Sequence, residues 1–367
     1  MAHKPYAPIP MVPGPVTLHP AVLAAMTRDY GSGQIEPDYL KLYAETGRNL
    51  AQLMGTQHDV VLMTGEGMLA LWAALKSCLV PGDKVLSVGT GVFGDGIGDM
   101  AASIGCEVLK VSLPYDETID DLTGIEDAIR SFRPKMLTAV HCETPSGTLN
   151  PLADLGALKQ TCGVPLFYVD AVASVGGAPV QADAWHADLV LGGSQKCLSA
   201  PPSMSFLSVS PAAWEVIEIV GYQGYDAIAP FRTVQQDGRC PYTPYWHGTA
   251  ALNAGALAIL NEKGGMQGCF DRHREVAERC RAGLAKLGVE LWTADGAVNS
   301  PTVTAALVPE GFDWPEWRQR LRERGLIVSG SFGPMAGKVF RLGHMGTQAT
   351  EALVDAALDV IESVMQD

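Results

Sequence analysis

Two residues in this 367-residue chain stand where covalent chemistry could be done. Lys196 follows an apolar run, Asp188 to Leu191, inside the stretch LGGSQKCLSAPPS at 191–203. Asp170 closes a second run, Leu166, Phe167, Tyr168 and Val169. An ammonium at the end of a buried strand is expensive to desolvate. Its pKa can be pushed down until it acts as an amine nucleophile, for example towards an aldehyde cofactor. The competing reading is a surface lysine at a strand end. A carboxylate in such a place needs a cation or hydrogen-bond donors. A protonated pyridine nitrogen is one such partner, and the pairing makes the ring a better electron sink. The competing reading is a helix N-cap. The Asp and the strand-end Lys together are more specific than either alone. Two weaker features accompany them. Gly65-Glu66-Gly67 precedes a helix, where free N–H groups attract anions. Phe93 lies in a Gly-rich stretch, 89–98, where a flat ring could cover a heteroaromatic ligand.

The elements that must position these residues alternate. Strands are expected over 60–63, 84–88, 107–111, 136–141, 166–172, 189–191 and 204–209. Helices are expected over 21–27, 39–54, 68–79, 100–104, 122–132 and 152–162, with a Gly-rich loop over 89–98 and another loop over 143–151. Strands separated by helices imply a mostly parallel sheet with helices on both faces. In such sheets ligands bind at the carboxyl ends of the strands. After Pro211 the pattern changes: an irregular aromatic stretch, 230–248, precedes helices over 249–261, 270–287, 314–324 and 350–365 and strands over 302–308, 326–329 and 339–342. The expected organisation is an extended arm at 1–17, a large domain at 18–262 and a smaller α+β domain at 263–367. The arm carries five prolines and cannot be a helix. Such arms often pack on a second subunit.

Composition bounds the function. The chain is 47% hydrophobic and 18% charged, which is ordinary for a globular protein. A net charge of −14 without a Lys/Arg cluster argues against nucleic acid and against anionic membranes. No apolar run reaches the roughly 20 residues that span a bilayer. The eight cysteines show no CxxC spacing and no signal peptide is evident, so they are expected to be reduced thiols in the cytoplasm. No spacing of His and Cys suggests a metal site.

FYVDAVASVGG at 167–177, with the Lys196 stretch, resembles the class V aminotransferases of the pyridoxal-phosphate fold-type I superfamily. VPGP at 12–15, HCETPSGTLNPL at 141–152 and RLGHMG at 341–346 extend the likeness over nearly the whole chain. Within the family the chain resembles the alanine–glyoxylate branch and, more closely, the pyridoxamine–pyruvate branch. The resemblance implies a large domain with a seven-stranded, mostly parallel sheet, a smaller α+β domain, and a homodimer with shared active sites. It implies transfer of an amino group from a small amino acid to a 2-oxo acid such as pyruvate or glyoxylate, with pyridoxal 5′-phosphate as cofactor.

By position, Lys196 would be the Schiff-base lysine and Asp170 the partner of the pyridine nitrogen. Phe93 and Val172 would lie on the two ring faces. Gly67, Met68 and Gln195 would line the phosphate cup, with Tyr242 and with Thr243 from the second subunit. Ser146 and Thr144 would reach the ring hydroxyl, although Pro145 departs from the family at this point. Arg341 would pair with the substrate carboxylate, and His344 would be structural. Glu66 is a second departure. A carboxylate facing a phosphate is repelled by about 4 kcal/mol per charge pair at 4 Å and an effective dielectric of 20. Either its side chain turns away or the site takes an unphosphorylated vitamer, pyridoxal or pyridoxamine, as substrate. Against the second course, Ser329 to Gly333 lacks the further arginine expected of that branch. A desulfurase or lyase of the same fold would carry a cysteine in a C-terminal loop, and none follows Cys280.

Overall fold

A computed structural model describes residues 8–367. Residues 1–7 of the expected arm lie outside the described residues. Seven strands form the central sheet: β1 (Asp59–Thr64), β2 (Lys84–Gly89), β3 (Glu107–Ser112), β4 (Met136–Val140), β5 (Leu166–Asp170), β6 (Leu189–Gly193) and β7 (Met204–Val209). Their order is β1-β7-β6-β5-β4-β2-β3. Only β7 runs antiparallel to its neighbours. Every residue of β4 to β7 is buried. Both faces of a covered parallel sheet need apolar side chains, which is why these strands read as continuous apolar runs.

The two-residue period of a strand sorts those side chains into two cores. Leu137, Phe167 and Val190 join one, together with Tyr39, Tyr43, Leu50 and Leu53 from the helix Pro37–Leu53. Met136, Leu166, Tyr168 and Leu189 join the other, beneath the helix Gly67–Cys78. A second, antiparallel sheet contains β8 (Val303–Leu307), β9 (Ser329–Gly330) and β10 (Val339–Gly343), in the order β8-β10-β9. Phe340 and Leu342 of β10 pack with Trp317, Val276 and Ile361 from the surrounding helices. Met11 completes that core, and Ile9–Pro10 pairs in parallel with Leu326–Ile327. The described part of the arm therefore packs on its own chain.

Two local expectations fail, and one stretch without an expected element forms one. The Gly-rich stretch 89–98 is not a loop, because Val92–Ser103 is a helix. Glycine is a poor helix former alone, but here it lets the helix lie close on the sheet. A Cβ on Gly94 would sit 2.8 Å from the Gly89 Cα, and one on Gly98 would sit 3.1 Å from the Ser87 Cβ. Tertiary contact thus overrides intrinsic propensity. The stretch after Pro211 begins with a further helix, Pro211–Val220, capped by the Ser210 hydroxyl, which accepts from the Ala213 N–H. The loop at 143–151 contains a small hairpin that pairs Cys142–Glu143 with Thr148–Leu149.

The packing of this helix gives a test with opposite signs. Gly94→Ala should lower the unfolding free energy by about 1–3 kcal/mol through overpacking. Gly96→Ala, whose Cβ would meet nothing within 4 Å, should raise it by about 0.5–1 kcal/mol. Urea unfolding of both variants checks this, and a change of the same sign in both would contradict it.

Candidate active site

β5 and β6 are parallel neighbours, and Asp170 lies in register with Leu191. That register puts the end of β5 beside the loop that carries Lys196. β1 leads into the helix that begins at Gly67, and β2 leads into the helix that holds Phe93. The carboxyl ends of four strands therefore converge on one cavity of about 180 Å³. Glu66, Gly67, Met68, Phe93, Asp170, Val172, Gln195 and Lys196 all line it, as the sequence led us to expect. Thr144 is on its wall as well. A Cβ on Gly67 would meet Val172 Cγ2 at 2.9 Å, so the helix start can close on the cavity only because residue 67 is glycine.

The charges in this site are poorly compensated. Asp170 is 9% exposed and accepts from the Val172 N–H at 2.9 Å. Burial pushes its carboxyl up to about 6, against the pull of that N–H and of Lys196. Burial, and then the Arg341 charge, hold the Lys196 amine below the ordinary lysine value. Its Nζ donates to the Pro13 carbonyl at 2.6 Å. Arg341, on β10, is 4% exposed. Its Nε and Nη2 donate to the Gly330 carbonyl at 2.8 and 2.6 Å, and Nη1 to that of Thr144 at 3.4 Å. Phe332 lies under the guanidinium, 4.8 Å from Cζ to ring centre. Burial alone lowers its pKa to about 10, and no carboxylate among the described residues pairs with it. Three of its five N–H groups are taken, which leaves one on each terminal nitrogen.

Glu66 caps the helix Gly67–Cys78 through its backbone only. Its carboxylate stays at the cavity wall and accepts from Gln195 Nε2 at 3.4 Å. Gln195 Oε1 is buried without a partner.

Four expected residues do not line the cavity; Arg341 is one, and it reaches the wall only through the Thr144 carbonyl. The Ser146 hydroxyl meets Thr148 Oγ1 at 2.8 Å and the Glu143 carbonyl at 3.4 Å, because the tight turn at Gly147 folds it into the hairpin. Tyr242 and Thr243 border a different cavity, with Tyr39 and Tyr43, against β1 and the start of β7. The Tyr242 ring packs on Tyr225 at 4.7 Å. His344 is structural, as expected: Nε2 meets Thr304 Oγ1 at 2.8 Å and Nδ1 the Pro301 carbonyl at 3.1 Å.

Sequence reasoning passed over Glu143. It is fully buried, and its carboxylate accepts from the Gly94 N–H at 2.6 Å and the Phe93 N–H at 3.3 Å. Burial pushes it up to about 8, opposed by those two N–H groups. It thereby caps the helix Val92–Ser103 from outside and fixes the Phe93 backbone. A lone carboxylate in an uncharged loop straight after a buried strand was the signal available for it.

The chain resembles known proteins over nearly its whole length. A family model described as aminotransferase class-V matches residues 21–348. The chain is 34% identical over 359 residues to an uncharacterized aminotransferase of Methanocaldococcus jannaschii, covering 95% of this chain and 92% of that one. It is 32% identical to the pyridoxamine–pyruvate transaminase of Mesorhizobium japonicum, covering 97% and 91%. The solved structure of an alanine–glyoxylate aminotransferase from Nostoc sp. superposes with a TM-score of 0.92 at 29% identity, covering 100% of this chain and 97% of that one.

The raised pKa of Asp170 has a consequence for stability. The native state keeps a proton that the unfolded chain releases near pH 4. This contribution is full below about pH 4 and is lost as the pH rises through about 6. Above that, the buried carboxylate costs about 3 kcal/mol. Asp170→Asn keeps the oxygen facing Val172 and removes the charge. In ligand-free protein it should be more stable than the parent by about 2–3 kcal/mol at pH 7.5 and equal to it near pH 3.5. Urea unfolding at both pH values checks this, and an equal difference at both would contradict it.

Proposed function

The chain belongs to the class-V aminotransferases, and from that premise we propose that it passes an amino group from a small amino acid, alanine- or serine-like, to pyruvate or glyoxylate. The observation that carries this reading is Arg341. It is a buried guanidinium without a carboxylate partner, joined through Thr144 to the cavity where Lys196 and Asp170 meet.

The cavity suits the ring of pyridoxal phosphate, the cofactor that the family and fold imply. Asp170 offers a carboxylate for a ring N–H and Lys196 an amine for the aldehyde. When bound, the cofactor supplies an electrophilic carbonyl carbon and a ring that draws electrons from the substrate Cα. Asp170 holds the proton on the ring nitrogen, and a facing cation draws its carboxyl back towards the ordinary range. Phe93 and Val172 line the cavity and would flank the ring and exclude water. Lys196 has a lowered pKa, so its amine would be available in part as the neutral form to hold the cofactor by its aldehyde and, once displaced by the substrate amine, to take the proton from the substrate Cα. Arg341 orients the substrate by its carboxylate, using the free N–H on each terminal nitrogen. Gly67, Met68 and Gln195 would hold the phosphate, and Ser146 would act only by supporting the hairpin that presents Thr144.

The enzyme works as a homodimer, with Tyr242 and Thr243 serving the other copy's cavity. Its place is the cytoplasm, in keeping with eight free cysteines. No helix among the described residues is long and apolar enough to cross a membrane.

Glu66 favours a second reading. Its carboxylate occupies the wall where a phosphate would lie, and Gln195 Nε2 already faces it. On this reading unphosphorylated pyridoxamine is the amino donor and pyruvate the acceptor.

Apo-protein supplied separately with pyridoxal phosphate and with pyridoxal separates the two. The first reading expects the phosphate ester to be retained through dialysis and to support alanine-dependent turnover. Loss of the ester, with pyridoxamine and pyruvate yielding pyridoxal and alanine, would replace it with the second. Under either reading Arg341→Gln should raise the KM for the oxo acid by about 10²-fold or more, the scale of breaking a buried charge pair. Steady-state kinetics check this, and an unchanged KM would remove Arg341 from the site.

A further inference from the structure

The segment 11–19 crosses between the Lys196 loop and the strand that carries Arg341. On one side, the Gly343 N–H donates to the Met11 carbonyl at 2.7 Å, Gln348 Nε2 to that of Val12 at 2.8 Å, and Thr347 Oγ1 to that of Thr17 at 2.6 Å. On the other, the Val16 N–H donates to the Gln195 carbonyl at 3.1 Å and the His19 N–H to that of Ser199 at 2.9 Å. Between these ties the Pro13 carbonyl accepts from Lys196 Nζ at 2.6 Å. Two glycines permit the approach. A Cβ on Gly14, which has φ +93°, would lie 2.6 Å from Lys196 Cδ and 2.9 Å from Nζ. A Cβ on Gly343 would lie 2.3 Å from the Val12 carbonyl oxygen.

We propose that this strap is a positioning element for the reactive amine. The Pro13 carbonyl holds the free ammonium of Lys196 beside the cavity, and Gly14 gives the lysine stem the room to reach it. The inference rests on the reading of Lys196 as the amine nucleophile. A carbonyl acceptor favours the charged amine. It therefore opposes burial and Arg341, which both favour the neutral one. The other groups facing Nζ are Asp170, Cys142 and Cys197. Burial pushes both thiols well up, Cys142 to about 11, so they stay neutral near pH 7. Burial raises the Asp170 carboxyl to about 6, so it is ionised above pH 7. A change in Lys196 titration above pH 7 thus reports the strap.

The test uses the full-length, ligand-free chain. Trace acetylation with acetic anhydride is run from pH 6 to 10, and the Lys196 peptide is quantified by mass spectrometry against exposed Lys41. Wild type is compared with Gly14→Ala and with Thr347→Val, which removes the tie to Thr17 without touching Lys196. Circular dichroism and thermal melting confirm folding. The midpoint for Lys196 should fall by about one pH unit in Gly14→Ala, a tenfold change in the ammonium equilibrium. It should move in the same direction in Thr347→Val, with Lys41 unchanged in both. A wild-type midpoint below that of Lys41 that stays the same in the folded variants would overturn the proposal. Should Gly14→Ala fail to fold, an unmoved midpoint in Thr347→Val would overturn it alone. A wild-type Lys196 midpoint equal to that of Lys41 would overturn the nucleophile reading and the proposal with it.

Discussion

The structure depends on keeping three ionisable groups dry without giving them full partners. Asp170 and Arg341 are buried and Lys196 is half-buried, and each pKa moves in the direction that disfavours its charge. Full mutual neutralisation would leave an inert ion-pair cluster. Instead each group keeps unused bonding capacity: the Asp170 carboxylate towards the cavity, the Lys196 amine held by a single carbonyl, and two N–H groups of Arg341. Such a set is costly for the protein alone and suited to two ligands, one with a ring N–H and an aldehyde and the other with a carboxylate.

Close packing holds these groups apart and in place. β4 to β7 are buried along their whole length and form the rigid floor from which Asp170 and the Lys196 loop project. Gly192 lets the Phe206 ring lie against β6, where a Cβ would come within 2.1 Å of it. Glu143 spans from the end of β4 to the Phe93 backbone and ties the wall of the cavity to its floor. Arg341 comes from the second sheet, and the bond from its Nη1 to Thr144 joins that sheet to the cavity rim. The site therefore exists only where the two sheets meet.

Much of this was legible in the sequence, for a physical reason. Asp170 and Lys196 interrupt or follow runs too apolar to tolerate charge, so their residue types stand out. The strand-and-helix alternation led directly to the parallel sheet. What stayed hidden depends on tertiary contact. The helix Val92–Ser103 reads as a loop because its glycines lower helix propensity, and only the sheet beneath shows why they are there. The Ser146 hydroxyl is turned inward by a hairpin too short to leave a periodic signal. The Pro13 contact uses a backbone carbonyl, which every residue possesses and none advertises. Tyr242 and Thr243 border a separate cavity with Tyr39 and Tyr43, a placement that depends on contacts far apart in the sequence.

The central claim is that Lys196 is the amine that joins an aldehyde vitamer. Its most direct test is borohydride reduction of the protein mixed with pyridoxal or pyridoxal phosphate, followed by digestion and mass mapping of the pyridoxyl label. The expected product is a single labelled peptide containing LGGSQKCLSAPPS, modified at Lys196, with no labelled peptide in Lys196→Ala. Label on a different lysine, or label that survives in Lys196→Ala, would contradict it.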